Sequence, residues 1–126
     1  MPDRWTVMIE GPAPALNSTY RPIVRHGGKL GLAKRSGVLA WQDTLSWLVK
    51  AARPKGWVPA RRVLITIEWY SPRKRDADAG VKACLDAVAV GLGIDDSCFL
   101  LSVPVNEIDR ESPRTIVHVE NVEGAA

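Results

Sequence analysis

Residues 73–96, with the sequence RKRDADAGVKACLDAVAVGLGIDD, constrain the fold of this chain more than any other stretch. Five aspartates lie between residues 76 and 96, and Lys82 is the one base among them. Carboxylates at this density repel one another unless a positive charge lies between them, and oxygen ligands favour hard cations such as Mg²⁺, Mn²⁺ and Ca²⁺. The stretch therefore predicts a fold in which several of these side chains share one cation.

Four strand-like segments surround this stretch. The clearest is 62–70, in which apolar residues recur at every second position, the period of a strand with one buried face. Residues 5–10, 98–105 and 115–122 have similar apolar and β-branched content. Within 98–105, Pro104 predicts an edge strand or a bulge, because proline cannot donate a hydrogen bond to a neighbouring strand. Residues 106–114 are predicted to form a polar loop.

Two helices are predicted between the strands. Ser36 is suited to cap the first, which runs to about residue 52. Its apolar residues recur at spacings of three and four and form one stripe of Val38, Trp41, Leu45, Leu48 and Ala52, widened by Trp47 and Val49. The second helix is predicted to begin at Asp78 and to end at Gly91 and Gly93.

These elements predict one α+β domain over residues 1–126. Its sheet is expected to be small and mostly antiparallel, with about four strands and with two main helices packed on one face. Residues 122–126 are expected to be frayed. No apolar run approaches the roughly 18 residues of a transmembrane helix, and the N-terminus lacks the pattern of a signal peptide. Cys84 and Cys98 do not make a disulfide framework, so a reducing, cytoplasmic location is expected.

Charge is divided unevenly along the chain. Residues 1–75 contain 14 Lys or Arg against 4 Asp or Glu, whereas residues 76–126 contain 3 against 10. This asymmetry is typical of proteins that bind a polyanion, and the alternative is basic surface that only aids solubility. Residues 11–42 contain no acid, and 26–28 look like the turn of a small hairpin, with an idle surface loop as the alternative. The candidate nucleic-acid contacts are Asn17, Tyr20, Arg21, Arg25, Lys29, Lys34, Arg35, Arg73, Lys74 and Arg75.

The acidic side chains predict a metal site. Asp76 and Asp78 are one residue apart, so extended backbone places both carboxylates on the same side. If the strand that follows Asp95 and Asp96 pairs beside the strand that precedes Asp76, carboxylates from both segments converge on one point. Three Asp side chains and several waters suit Mg²⁺. Taken alone, Asp78 is also a common helix cap and an ordinary helical partner for Lys82, and Asp95–Asp96 is also a common turn.

The motif RKRDADAGVKACLDAV…GIDD resembles the signature of RusA-type Holliday-junction resolvases, and PAPALNSTYR resembles that family's P-x-x-N-x-x-Y-R segment. The likeness spans about residues 12–105. It implies a small α+β homodimer that cuts four-way DNA junctions with Mg²⁺ or Mn²⁺. By resemblance, the metal-binding positions are Asp76, Asp78 and Asp96, the essential lysine is Lys82, and the supporting acids are Asp86 and Asp95.

Two departures from the family's pattern leave alternatives open. Ala79 stands where the family usually has Asn, and the segment after Asp96 lacks a basic residue often found near the end of that strand. The leading prediction is a metal-dependent endonuclease, bacterial or phage-encoded, that nicks Holliday junctions or other branched DNA in recombination, repair or phage DNA processing. A catalytically silent DNA-binding protein of the same fold is the alternative, and a purely structural module is a third. A homodimer is expected because a four-way junction has two-fold symmetry, with Trp41 and Trp47 of the first helix at its interface.

Overall fold

The computed structural model describes residues 4–14, 20–24, 30–34 and 36–122. The elements are, in chain order, β1 (Arg4–Glu10), β2 (Tyr20–Val24), β3 (Leu30–Lys34), α1 (Ser36–Ala52), β4 (Val63–Ser71), α2 (Val81–Leu92), β5 (Phe99–Ile108) and β6 (Arg114–Asn121). A short 3₁₀ helix, Asp96–Cys98, precedes β5. The predicted α+β class, with a four-stranded sheet and two helices, is confirmed.

The main sheet has the strand order β1-β6-β4-β5. β6 pairs antiparallel with both β1 and β4, while β5 pairs parallel with β4. Thr66 pairs with Ser102 and Glu68 with Val105, so β5 has one extra residue in the interval that contains Pro104. Both features predicted from the proline, an edge strand and a bulge, are therefore present. The strand runs on to Ile108, so the prediction of a loop from residue 106 is wrong at its start.

The strands β2 and β3 form a separate antiparallel hairpin in which Val24 pairs with Leu30. The predicted hairpin is confirmed in its two strands, and its turn at 26–28 lies outside the described residues. The predicted fraying of 122–126 also falls there, except at Val122, whose N–H donates to the carbonyl of Arg62 at 3.1 Å.

Both helices cover one face of the main sheet and enclose an apolar cluster. Its β4 members have no solvent exposure because every second side chain of this strand faces the helices: Val63, Ile65, Ile67 and Trp69. From α1 the buried apolar residues are Val38, Trp41, Leu45 and Val49. Trp47 does not widen this stripe, since it lies about 200° around the helix from Leu45 and is 72% exposed. Ala52, in the last turn, is also exposed.

The two helices approach each other closely at Gly91. A Cβ atom at this position would lie 2.7 Å from the Cβ of Val49, so only glycine fits without a shift. Gly91 therefore lies inside α2 and does not end it as predicted; the helix ends at Leu92, with Gly93 as its C-cap. A second link comes from Gln42 of α1, whose Nε2 donates to the carbonyl of Ala83 at 2.9 Å.

The start of α2 also differs from the sequence prediction. Residues 77–80 form a turn, and the helix begins at Val81 and not at Asp78. Gly80 is the N-cap, with φ of 84°, a left-handed conformation that cannot continue a right-handed helix. The N-cap of α2 is Gly80 and not Asp78, so the interpretation of Asp78 as a helix cap is wrong.

Among the described residues, no helix is long and apolar enough to cross a membrane. Cys84 and Cys98 are free thiols. Complete burial raises the pKa of Cys84 to about 12, so this thiol stays protonated at neutral pH and acts as a core residue.

Candidate functional site

The acidic residues belong to two segments joined by α2. Asp76 and Asp78 lie in the loop that follows β4, and Asp95 and Asp96 lie just before β5. Because β4 and β5 are parallel, the end of one strand and the beginning of the next lie at opposite ends of the pair. Strand pairing alone therefore does not bring the two segments together.

Lys82 is the point where two of the predicted acids meet. Its Nζ lies 3.0 Å from Oδ1 of Asp86, one turn along α2, and 3.1 Å from Oδ2 of Asp96 in the 3₁₀ helix. Hydrogen bonds to Asp86 and then to Asp96 raise the pKa of Lys82 further above its ordinary value, so the side chain is cationic at neutral pH. One ammonium group is thus the positive charge that these two carboxylates share.

Asp95 caps the 3₁₀ helix and does not pair with Lys82 in the way that Asp96 does. Its Oδ1 accepts a hydrogen bond from the backbone N–H of Ser97 at 2.9 Å and caps the 3₁₀ helix. This hydrogen bond holds the pKa of Asp95 below its ordinary value. The turn interpretation is correct for this residue, while its neighbour Asp96 reaches Lys82.

Asp76 and Asp78 are exposed on the loop after β4. Their backbone carbonyls accept hydrogen bonds from the N–H groups of Ala79 at 3.0 Å and Val81 at 3.2 Å, which shapes the loop into a tight turn. Both carboxylates lie on the same loop and are accessible to water and to ligands.

The part of the chain that the structure describes contains no group of three or more His, Cys, Asp or Glu side chains placed to hold a metal ion. The set of Asp76, Asp78 and Asp96 therefore stays a prediction. Its donor chemistry suits a hard cation, because exposed carboxylates offer oxygen ligands and leave room for the waters that Mg²⁺ retains. Asp86 and Asp96 already converge on one positive charge.

The basic residues before the acidic loop separate into two kinds. Arg73, Lys74 and Arg75 line a surface cleft of about 510 Å³ together with Asn106, Glu107 and Ile108, and of the three bases Arg73 and Lys74 are exposed whereas Arg75 is half-buried. Arg75 instead turns inward, where its guanidinium lies 4.6 Å from the centre of the Trp69 ring. Arg73 and Lys74 are thus the more accessible bases of this triplet.

The other predicted nucleic-acid contacts fall on or near the hairpin. Tyr20 and Arg21 lie in β2, and Lys34 ends β3. Tyr20 pairs directly with Lys34 across the hairpin. The remaining candidates lie outside the described residues: Asn17, Arg25, Lys29 and Arg35.

A polar network on the sheet face opposite the helices was not foreseen. The Glu68 carboxylate accepts hydrogen bonds from the Tyr70 hydroxyl at 2.8 Å and from Nε2 of His118, and Nδ1 of His118 bonds the Thr6 hydroxyl at 2.7 Å. The alternation of β4 and β6 places these residues on outward positions. Nothing in the sequence shows which outward residues become neighbours, because that depends on strand order and register.

A scan against protein-family models found no match for this chain, and a search of curated proteins found none either. What the fold and the site define is a small α+β domain with an exposed acidic loop, a lysine that bridges two further carboxylates, and exposed bases next to the acidic loop.

Proposed function

We propose that this protein is a metal-dependent endodeoxyribonuclease that nicks four-way junctions or other branched DNA. The observation that carries the proposal is the position of Lys82, whose ammonium lies within 3.1 Å of carboxylate oxygens of Asp86 and Asp96. A lysine held by carboxylates, with two more exposed aspartates on the preceding loop, combines the charges that phosphodiester hydrolysis requires. The resemblance to RusA-type resolvases supports the same function.

Each group has a defined task in this proposal. Asp76, Asp78 and Asp96 would hold Mg²⁺ or Mn²⁺, which when bound supplies a Lewis acid and activates water. Lys82 is 64% exposed, so its ammonium can approach a phosphate and stabilise the negative charge that develops there. Asp86, on the same helix face, orients the lysine side chain. The exposed bases Arg73 and Lys74 attract the DNA backbone.

The proposed assembly is a homodimer, because cutting opposed strands of a two-fold junction requires two sites related by the same axis. Trp41 is buried against the sheet, so it is unsuited to an interface. Trp47, Leu48 and Ala51 instead form an apolar strip on the outer side of α1, where they line a surface hollow of about 340 Å³ together with Asp43 and Thr44. A second copy of the chain is the partner that this strip would take.

The function is tested with a synthetic four-way junction labelled on each strand. We expect nicking that requires Mg²⁺ or Mn²⁺, is abolished by a chelator and is much slower on a linear duplex of the same sequence. Junction binding in chelator without metal-stimulated nicking of any branched DNA would contradict the enzyme and support the silent DNA-binding protein. Absence of both binding and nicking would support the purely structural module.

A further inference from the structure

We propose that Arg75 is a positioning residue that holds the loop carrying Asp76 and Asp78, and that it does not contact phosphate. The inference deepens the proposed function, on which it rests for the role of the two aspartates. It reverses the expectation that all three bases of the Arg73–Arg75 triplet grip DNA.

The first observation is the environment of the guanidinium. Arg75 is stacked on the Trp69 ring at 4.6 Å from its centre. Its Nη1 donates to the carbonyl of Ala13 at 3.4 Å, and its Nη2 donates to the carbonyls of Pro14 at 3.1 Å and Ala79. The side chain therefore joins the segment after β1 to the end of the acidic loop.

The second observation is that alternate carbonyls of the loop are anchored by side chains. Asn106 Nδ2 donates to the carbonyl of Arg75 at 2.8 Å, and Trp69 Nε1 donates to the carbonyl of Ala77 at 2.8 Å. The Arg75 guanidinium donates to the carbonyl of Ala79. Residues 75, 77 and 79 are thus fixed to the body of the protein, while the intervening residues 76 and 78 are exposed. A loop anchored at three points holds its carboxylates in defined positions, as a preorganised site requires.

The third observation is that Gly80 leaves room for the Arg75 guanidinium. This glycine has φ of +84°, and a Cβ atom there would lie 2.7 Å from Nη2 of Arg75 and 3.1 Å from the Pro14 carbonyl oxygen. The absence of a side chain at residue 80 leaves room for the guanidinium to reach the carbonyls of Pro14 and Ala79. The loop and the arginine therefore fit each other closely.

A phosphate role would require Arg75 to leave this site. Its Nε is buried and makes no hydrogen bond within the described part of the chain, and burial lowers the pKa of the guanidinium, which nevertheless stays charged at neutral pH. Withdrawal would remove the Arg75 donor from the carbonyls of Ala13, Pro14 and Ala79, and the loss of hydrogen bonds in this partly buried setting is costly. Arg73 and Lys74 are exposed and need no such rearrangement.

The test compares Arg75→Met with the matched control Arg73→Met, which removes the same charge from an exposed position. Hydrogen exchange is followed at the amides of Ala79 and Val81, which close the turn, and junction affinity is measured against salt in metal-free buffer. For Arg75→Met we expect exchange at both amides to accelerate by about 10-fold or more and the salt slope to stay unchanged. For Arg73→Met we expect unchanged exchange and a slope reduced by about one unit. Mn²⁺ binding, followed by water proton relaxation, should weaken in the first variant only.

A slope reduced by about one unit with unchanged exchange in Arg75→Met would overturn the inference. If that variant does not fold, Arg75→Lys decides, since it keeps the positive charge and loses the paired guanidinium donors to Pro14 and Ala79. Unchanged exchange at both amides in Arg75→Lys would also overturn the inference. The exchange measurement requires no catalysis. A wild-type protein that nicks no DNA would therefore refute the proposed function while the exchange data still decide the role of Arg75 in ordering the loop.

Discussion

At the scale of single residues, the site depends on how one lysine is shared. Lys82 contacts Asp86 on its own helix and Asp96 beyond the helix end, at 3.0 and 3.1 Å. The lysine side chain is 64% exposed, so solvent screens both ion pairs and neither contributes much to stability. Such pairs rearrange easily when a phosphate or a divalent cation approaches. The proposed role of Lys82 therefore requires no stabilising interaction to be given up.

Asp96→Asn removes one negative charge from the candidate metal site and keeps the size of the side chain. We expect nicking of a four-way junction to fall by on the order of 100-fold, because the ion is no longer held correctly. Junction binding in metal-free buffer should persist or tighten, since one charge that repels phosphate has gone.

The matched control for that variant is Asp95→Asn, whose amide oxygen can still accept the hydrogen bond from Ser97 and cap the 3₁₀ helix. This variant should nick at nearly the wild-type rate. Full activity in Asp96→Asn together with loss in Asp95→Asn would move the ligand role to Asp95.

Glu68 makes stability depend on pH. The hydrogen bond from His118, followed by that from Tyr70, holds the pKa of Glu68 below its ordinary value of 4.5. A carboxyl whose pKa is lower in the folded state stabilises the protein above pH 4.5, and this contribution is lost as the pH falls through the folded-state value. We expect Glu68→Gln to lower the free energy of unfolding by about 1 kcal/mol at pH 7, and the difference from wild type to shrink below pH 4.5.

Thermal unfolding between pH 7 and pH 3 measures that difference. Glu111→Gln, in the exposed loop before β6, is the control and should match the wild type throughout. A difference for Glu68→Gln that is the same at every pH would show that packing, and not the charge of Glu68, accounts for the loss.

At the scale of elements, the contact of α1 with α2 decides how the acidic residues are presented, because α2 carries Lys82 and Asp86. Glycine at residue 91 allows Val49 to pack directly on the α2 backbone. The hydrogen bond from Gln42 to the Ala83 carbonyl sets the position of α1 along α2. Helix position and site geometry are therefore linked.

Gly91→Ala tests this contact. The added Cβ would lie 2.7 Å from two side-chain atoms of Val49 and 2.9 Å from the carbonyl oxygen of Ser46, so we expect a loss of about 1–3 kcal/mol of stability. Gly37→Ala, near the start of α1, is the matched control, because within the described residues its new Cβ would have no neighbour within 4 Å beyond the adjoining residues and the local helix backbone. It should leave stability unchanged or raise it by up to about 1 kcal/mol. Equal effects in denaturant unfolding would contradict the close packing at Gly91.

At the scale of the whole molecule, charge and apolar surface are separated. The basic first part of the chain ends at Arg75 and the acidic part begins at Asp76, so in the proposed function a DNA backbone bound by Arg73 and Lys74 would lie beside the exposed carboxylates. The outer side of α1 carries Trp47 at 72% exposure and is free of this charge boundary. The proposed DNA contact and the proposed homodimer would use these two separate surfaces.

Trp47→Asp should convert the proposed homodimer into a monomer without changing the fold, because the side chain contributes little to the core. Analytical ultracentrifugation at micromolar concentration is expected to show twice the chain mass of 13.8 kDa for the wild type and the single mass for the variant. Leu39→Asp, on another side of α1 and 47% exposed, should sediment like the wild type. A wild-type protein that is monomeric at this concentration contradicts the dimer.

The sequence by itself determined most of the elements and the side of each that is buried. In β4 apolar residues recur at every second position, and in α1 they recur at spacings of three and four. These spacings predict the buried side, because they depend only on residues that are near in the chain. Pro104 by itself likewise predicts the edge strand and the bulge that the structure has. The sequence predictions are wrong where the local pattern is ambiguous: Trp47 is exposed although the pattern adds it to the buried stripe, and Asp78 precedes α2 although the pattern begins the helix there.

Tertiary structure alone decided which polar groups meet. Lys82 reaches Asp96 across 14 residues, Glu68 reaches His118 across 50, and Arg75 reaches Pro14 across 61. Such partners depend on strand order, on register and on the crossing of α2 over the parallel pair β4 and β5. Arg73 and Arg75 have the same side chain two positions apart, yet one is exposed and the other lies against Trp69. The physical reason is that the position of a charged side chain depends on the carbonyls and rings that surround it in space. Many of those groups are distant in sequence, so a local sequence pattern does not show them.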